Sequence, residues 1–114
     1  MLSLNKVLIV GRVTEAGVKI PWAENGTPET RWTLIVEAPG PAGATFRLFV
    51  PCCAYGKTAE AIGEQGNAGD TLFCDGKLKW RSWVDKKGEK QGRLELMVWS
   101  WQKVEAAAPA EVTA

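Results

Sequence analysis

The sequence predicts a mainly β domain, on three observations. Several stretches rich in β-branched and aromatic residues alternate apolar and polar side chains with the period of two that a pleated strand imposes. Gly, Pro and Asn-Gly signals separate these stretches. Only one short segment has the composition of a helix. At 114 residues the chain has the length of one domain, able to bury a single modest core.

The elements follow in order. "KVLIVGRVT", Lys6 to Thr14, is β-branched and reads as a strand, with Gly11 expected at a bulge or bend. "TEAGVKIPWAENGTPE" is broken by turn signals and reads as a long loop or irregular hairpin. In "TRWTLIVEA", Thr30 to Ala38, Trp32, Leu34 and Val36 share one face while Arg31, Thr33 and Ile35 share the other. "PGPAG" turns the chain into "TFRLFVPCCAY", Thr45 to Tyr55. There Phe46, Leu48, Val50, Cys52 and Ala54 have core parity, opposite Arg47, Phe49, Pro51, Cys53 and Tyr55. Pro51 cannot donate to a ladder and predicts an edge or a bulge. "GKTAEAIGEQG" is the helix, with Ala59 and Ile62 inward and Gly66 as its stop. "TLFCDGKLKWRSW" and "GRLELMVWSWQKVE" are the fourth and fifth strands, joined by the turn "DKKGEKQ". The small residues of "AAAPAEVTA" predict a short flexible tail, so the domain is expected over 1–105 and the tail over 106–114. Five strands with one short helix between strands 3 and 4 is the order of a five-stranded Greek-key OB-fold barrel. An SH3-like barrel or an open α+β sheet fits the same order.

Composition narrows the function. No run approaches the roughly 18 apolar residues of a membrane helix, and the N-terminus lacks the order of a signal peptide, so a cytoplasmic protein is expected. Cys52, Cys53 and Cys74 are odd in number with two adjacent, which suits neither a disulfide framework nor a zinc site; they read as small buried hydrophobes. There is no histidine, no phosphate-cradling Gly-x-x-x-x-Gly-Lys-Ser/Thr loop and no convincing carboxylate pair. Glu37, Glu60 and Glu64 read as solvated. The expectation is a binding protein, not an enzyme, with no metal and no cofactor.

Charge is where the sequence becomes informative. The chain as a whole carries only +1, yet Asp75 to Arg93 sets seven cations against Asp75, Asp85 and Glu89, a local +4. On the fourth strand the even positions Leu72, Cys74, Gly76, Leu78, Trp80 and Ser82 suit a barrel interior. The odd positions place Lys77, Lys79 and Arg81 between Phe73 and Trp83. The outward parity of the third strand adds Arg47, Phe49 and Tyr55, and the second strand adds Arg31. Aromatics interleaved with cations on one sheet face suit a single-stranded nucleic acid, whose bases stack while Lys and Arg follow the phosphates. A duplex reader would offer a basic helix for the major groove. The competing reading is an ordinary solvated face.

The stretches "LNKVLIVGRVT", "YGKTAE", "CDGKLKWRSWVDKKG" and "LELMVW" resemble the bacterial single-stranded DNA-binding protein (SSB) family, from about Leu4 to about Val104. The resemblance implies an OB-fold that binds single-stranded DNA without sequence preference in replication, recombination or repair. It implies stacking roles for Tyr55, Trp83 and Phe49 and a phosphate contact for Lys6. With the parity argument, the expected interface is Lys6, Trp22, Arg31, Arg47, Phe49, Tyr55, Lys77, Lys79, Arg81, Trp83, Lys86 and Lys87. Trp22, in the first long loop, suits a stacking role or a barrel cap equally. Trp32 and Trp80 have core parity and are expected to pack. Trp99 and Trp101 share an outward parity with Met97 and suit a subunit interface or DNA. The resemblance also implies a homo-oligomer, tetramer or dimer. Family members usually continue into a linker with an acidic, phenylalanine-terminated tip; this sequence stops at "AEVTA", so recruitment of replication enzymes by that route is not expected. "EAPGPAGAT" is shorter than the usual loop and lacks its aromatic. Two competitors stand beside this reading: a primosomal-type accessory protein acting mainly through protein contacts, and a single-stranded RNA binder.

Overall fold

The computed structural model describes residues 1–19 and 26–104. Its elements are β1 (Val7–Val13), β2 (Glu29–Pro39), β3 (Thr45–Tyr55), α1 (Gly56–Gln65), β4 (Thr71–Val84) and β5 (Lys90–Val104). The strands close into a barrel in the order β1-β2-β3-β5-β4, with β4 returning to β1. All pairings are antiparallel except a short parallel meeting of Cys52–Cys53 with Leu96–Met97. Closure and the helix between β3 and β4 are those of the OB barrel; the open sheet falls away. Trp22 and the tail 106–114 lie outside the described residues.

The core is what the alternation dictates. Val13, Trp32, Leu34, Cys52, Ala54, Leu72, Cys74, Leu96 and Val98 point inward from the strands and meet Ala59 and Ile62 of α1. Three residues apart, Ala59 and Ile62 share one helix face, and each fully buried aliphatic side chain contributes about 1.5–3 kcal/mol. The helix is pinned by Thr30 Oγ1, which donates to the Ala59 carbonyl at 2.7 Å, and it ends where the Gly66 N–H closes on the Ile62 carbonyl. The three cysteines are free and buried. Burial pushes their thiols up, that of Cys74 to about 12, so they are inert hydrophobes at neutral pH.

Four expectations need correction. Gly11 is not a bulge: β1 runs in register there, and a Cβ at this position would press to 2.9 Å on the Ile35 carbonyl, so the glycine serves close approach of β1 to β2. The irregularity falls instead between Asp75 and Gly76, where β5 contributes Trp99 as an extra residue. A bulge of one residue reverses parity beyond it. Trp101 therefore turns inward opposite Cys74 and packs on the core, while Trp99 stays exposed. Trp80 is not packed inside; it is 63% exposed. Beyond Gly76 the β4–β5 hairpin leaves the barrel as an arm, so Leu78, Trp80, Val84 and Leu94 on its even face have no core to enter. The same holds for Phe46 and Leu48 on the β2–β3 hairpin, which core parity had placed inside.

Asn5 steadies the base of the arm. Its side-chain amide donates to the Leu78 carbonyl and its oxygen accepts from the Leu78 N–H, both at 2.9 Å, as a strand partner would.

Candidate nucleic-acid interface

The register brings one face of the arm against the end of β3. Lys79 stands opposite Glu95, Arg81 opposite Arg93 and Trp83 opposite Gln91, so these side chains share a face. Across the barrel mouth Tyr55 pairs with Glu29 and Cys53 with Arg31. At the centre lies Glu95, only 1% exposed and the one buried carboxylate among the described residues.

A buried carboxylate must be paired and hydrogen-bonded. Arg81 Nε donates to Glu95 Oε1 at 2.6 Å, and Arg93 Nε donates to Oε2 at 2.9 Å. Arg81 extends its Nη2 to Glu29 Oε2 at 2.5 Å, where Arg31 Nε also donates at 2.9 Å. Desolvation pushes both carboxyls up, but the arginine hydrogen bonds outweigh it, from Arg81 and Arg93 on Glu95 and from Arg31 and Arg81 on Glu29. Both stay below the ordinary carboxylate range and remain ionised. Desolvation of the Arg81 guanidinium is likewise outweighed, first by Glu95, and its pKa moves up.

This network fixes the two aromatic rings. The Tyr55 hydroxyl accepts from the Lys79 ammonium and from Arg81 Nη2, the latter at 3.2 Å, while the ammonium lies 4.5 Å from the ring centroid. The Arg93 guanidinium carbon sits 5.8 Å from the Trp83 centroid. Trp83 is 43% exposed. Arg31, Arg81, Ser82, Trp83 and Arg93 line an open groove of about 640 Å³. At the arm's tip Asp85 accepts from the backbone N–H groups of Glu89 and Lys87, each at 2.9 Å, and from the Gln91 side-chain amide at 3.1 Å; these bonds, that of Glu89 first, hold its carboxyl below the usual range. Gly88, with φ of +82°, takes the left-handed position the turn requires. The turn leaves Lys86 and Lys87 exposed beside Trp83.

The expected residues therefore separate into groups. Arg31, Tyr55, Lys79, Arg81 and Trp83 come together, with Lys86 and Lys87 beyond them and Lys77 exposed at the base of the arm. Phe49 and Arg47 do not join them. Phe49 shares Tyr55's parity but stands six residues earlier, about 20 Å along the strand. It is 56% exposed and lines, with Arg12, Ile35 and Arg47, a second groove. Arg12 and Arg47 both face Glu37, at 3.9 and 3.7 Å. Lys6 is paired with Asp75 at 3.4 Å, away from both grooves. Arg93 and Arg12 line these two grooves but are not among the expected residues. Arg93 becomes visible only through its register with Arg81, whereas Arg12 carried a signal in its outward parity on β1.

Chemically, the first group offers ring faces and fixed guanidiniums around an open groove. That can hold a flat heteroaromatic base and its phosphates. Among the described residues no cluster of His, Cys, Asp or Glu could hold a metal ion, and no helix is long and apolar enough to cross a membrane.

The chain is similar to known proteins over most of its length. A model of the single-strand binding protein family matches residues 4–104. A single-stranded DNA-binding protein of Malacoplasma penetrans is 32% identical over 95 residues, covering 83% of this chain and 49% of that protein. One from Halalkalibacterium halodurans is 29% identical over 104 residues, covering 90% of this chain and 61% of its own length. The chain thus spans about half to three-fifths of these curated relatives. Among solved structures, the Plasmodium falciparum SSB complex with ssDNA superposes with a TM-score of 0.78 at 17% identity, over 92% of this chain and 98% of that one. At that identity the likeness speaks for the fold.

Proposed function

The chain belongs to the single-strand binding protein family, and we propose that it binds single-stranded DNA with little sequence preference, without catalysing a reaction. The observation that carries the proposal is the joint placement of Tyr55 and Trp83 on one open face, each ring held by a cation. Bases stack on these rings, and Lys79, Arg31 and Arg93 with the tip lysines Lys86 and Lys87 attract the backbone. A duplex hides the base faces that such a site needs. Arg81, hydrogen-bonded to two carboxylates, acts by positioning Tyr55 and by its field. Phe49 with Arg12 and Arg47 forms a second station, so that a strand long enough to reach it gains a further stack.

The curated relatives' names support DNA as the partner, and we place the protein's work in the cytoplasm, on DNA exposed during replication, recombination or repair. Homo-oligomerisation, as dimer or tetramer, is part of the proposal. Leu8 and Val10 are exposed on β1, whose Val7–Gly11 stretch pairs with β4 on one side only and offers a free edge to a second copy.

The test is affinity for oligo(dT) across a salt series. Log affinity is expected to fall with log salt at a slope of about −0.7 per phosphate neutralised. A flat response, or no binding at low salt, would instead favour a primosomal-type accessory role through protein contacts, which the exposed Phe46 and Leu48 would serve. Competition with oligo(U) decides between DNA and RNA.

A further inference from the structure

Trp80 stands on the face of the arm opposite Trp83, and the reading above leaves it without a role. It is the most exposed tryptophan among the described residues. Its position is nonetheless built. The indole lies over Gly92 of β5, close enough that a Cβ at residue 92 would collide with the ring. The missing side chain lets the indole rest on the strand with its other face outward. Ser82 pairs with Gly92 and Val84 with Lys90, so a hydroxyl and an ammonium continue the same face toward the tip.

An open groove of about 520 Å³ runs here, lined by Trp80, Ser82, Val84, Lys90 and Gly92, and it includes Trp83 and Gln91 from the other face. It adjoins the first groove, with which it shares Ser82 and Trp83. The charge matches a polyanion: from Lys77 to Leu94 the arm holds seven cations against Asp85 and Glu89.

We propose that Trp80 is a second base-stacking platform on the reverse face of the β4–β5 arm, taking the unpaired bases of a strand that leaves Trp83 and bends around the arm. The inference rests on the single-stranded DNA reading. Stacking tolerates any base because each has a π-face, and Lys90 supplies the phosphate partner at that turn. A second copy of the chain, seated on Leu78, Trp80 and Leu94, is the competing occupant.

The experiment measures oligo(dT) affinity over lengths from about 4 to about 16 nucleotides, the range an OB-fold covers, for the wild type, Trp80→Ala and Trp80→Phe. The exposed ring makes Trp80→Ala a folding-competent variant, and circular dichroism and sedimentation velocity accompany each titration. Short oligonucleotides should bind Trp80→Ala and the wild type alike. Beyond a threshold length the wild type should gain affinity and Trp80→Ala should lose about 5- to 150-fold of it, with Trp80→Phe keeping most of the gain. Equal affinity of wild type and Trp80→Ala at every length overturns the platform and leaves the Trp83 face standing. A loss equal at all lengths assigns Trp80 to support of the arm and also overturns it. So does a smaller oligomer in Trp80→Ala without DNA, which assigns the face to a second copy. A wild type that binds no oligo(dT) overturns the parent reading together with this one.

Discussion

β4 begins as a stave of the barrel and ends as half of an arm, and the two halves obey different rules. From Thr71 to Gly76 its even residues Leu72, Cys74 and Gly76 are buried and its odd residues are half-buried. From Lys77 to Val84 Leu78, Trp80 and Ser82 are exposed on one side and Lys77 and Trp83 on the other. The alternation is the same; what changes is the second layer. In the barrel one face of the strand looks onto Leu34, Cys52 and Ile62, while on the arm the even face is unroofed and the odd face is covered only at Lys79 and Arg81, by Tyr55 and Glu29. Stability belongs to the first half and, in the function proposed, recognition to the second, with Glu95 at the joint between them.

The largest effect expected is on the barrel side. Trp32 is 4% exposed and packed in the core, so Trp32→Ala should lower the unfolding free energy by about 3–5 kcal/mol in urea melts. Trp80→Ala, on the arm, should move it by about 0.5 kcal/mol or less. If the two melts shift equally, the division of the strand into a structural and a recognising half is wrong.

The joint comes next. Glu95→Ala leaves Arg81 and Arg93 facing a cavity where their shared carboxylate was, and should destabilise by about 3 kcal/mol, below Trp32→Ala because Glu29 still holds Arg81 and Arg93 still reaches water. A pH series isolates the charge. Glu29 and Glu95 are held below their ordinary value of 4.5 in the folded chain, so their contribution is present above that value and is lost as pH falls through the lowered folded values. Unfolding free energy should therefore decline on acidification below about pH 4.5, and Glu95→Gln should show a shallower decline. An unchanged slope would mean that the network does not couple to folding.

The barrel was readable in the sequence because each stave has one face sealed by neighbours, so alternation translates into inside and outside. Leu34, Cys52 and Leu72 follow directly from it. Trp101 did not, because a one-residue bulge leaves no mark in composition yet reverses every side chain after it. Trp80 did not, because its parity is correct but the core ends at Gly76, and where a barrel ends depends on the shear of all five strands. In the site, Tyr55, Lys79, Arg81 and Trp83 were readable as one outward face. The carboxylate bonds of Arg81 were not, since Glu29 lies 52 residues away. Separation of Phe49 from Tyr55 was hidden for a related reason: equal parity records the face of a strand but not the distance along it.

A test on the recognising half follows. Trp83→Ala should weaken oligo(dT) binding by about 1–3 kcal/mol with little change in the melt, and the tryptophan fluorescence quenched by the oligonucleotide should diminish with it. Unaltered affinity would remove Trp83 from the interface whatever the geometry of Arg93 beside it.

The smallest effect separates attraction from stacking within the arm itself. Lys86 and Lys87 are exposed at the tip, and among the described residues neither forms an ion pair with a carboxylate, whereas Arg81 and Arg93 do. If both tip lysines neutralise phosphates, Lys86→Ala with Lys87→Ala should flatten the salt slope by about 0.7 for each, roughly 1.4 in all, with the melt and the fluorescence quenching at saturation retained. Arg81→Lys should behave differently. Its guanidinium is bound to Glu29 and Glu95, so replacement should disturb Tyr55 and the melt while leaving the salt slope nearly intact. Were the slope to change with Arg81 and not with the lysines, the cations that meet phosphate would be those of the joint, and the tip would serve only to shape the turn.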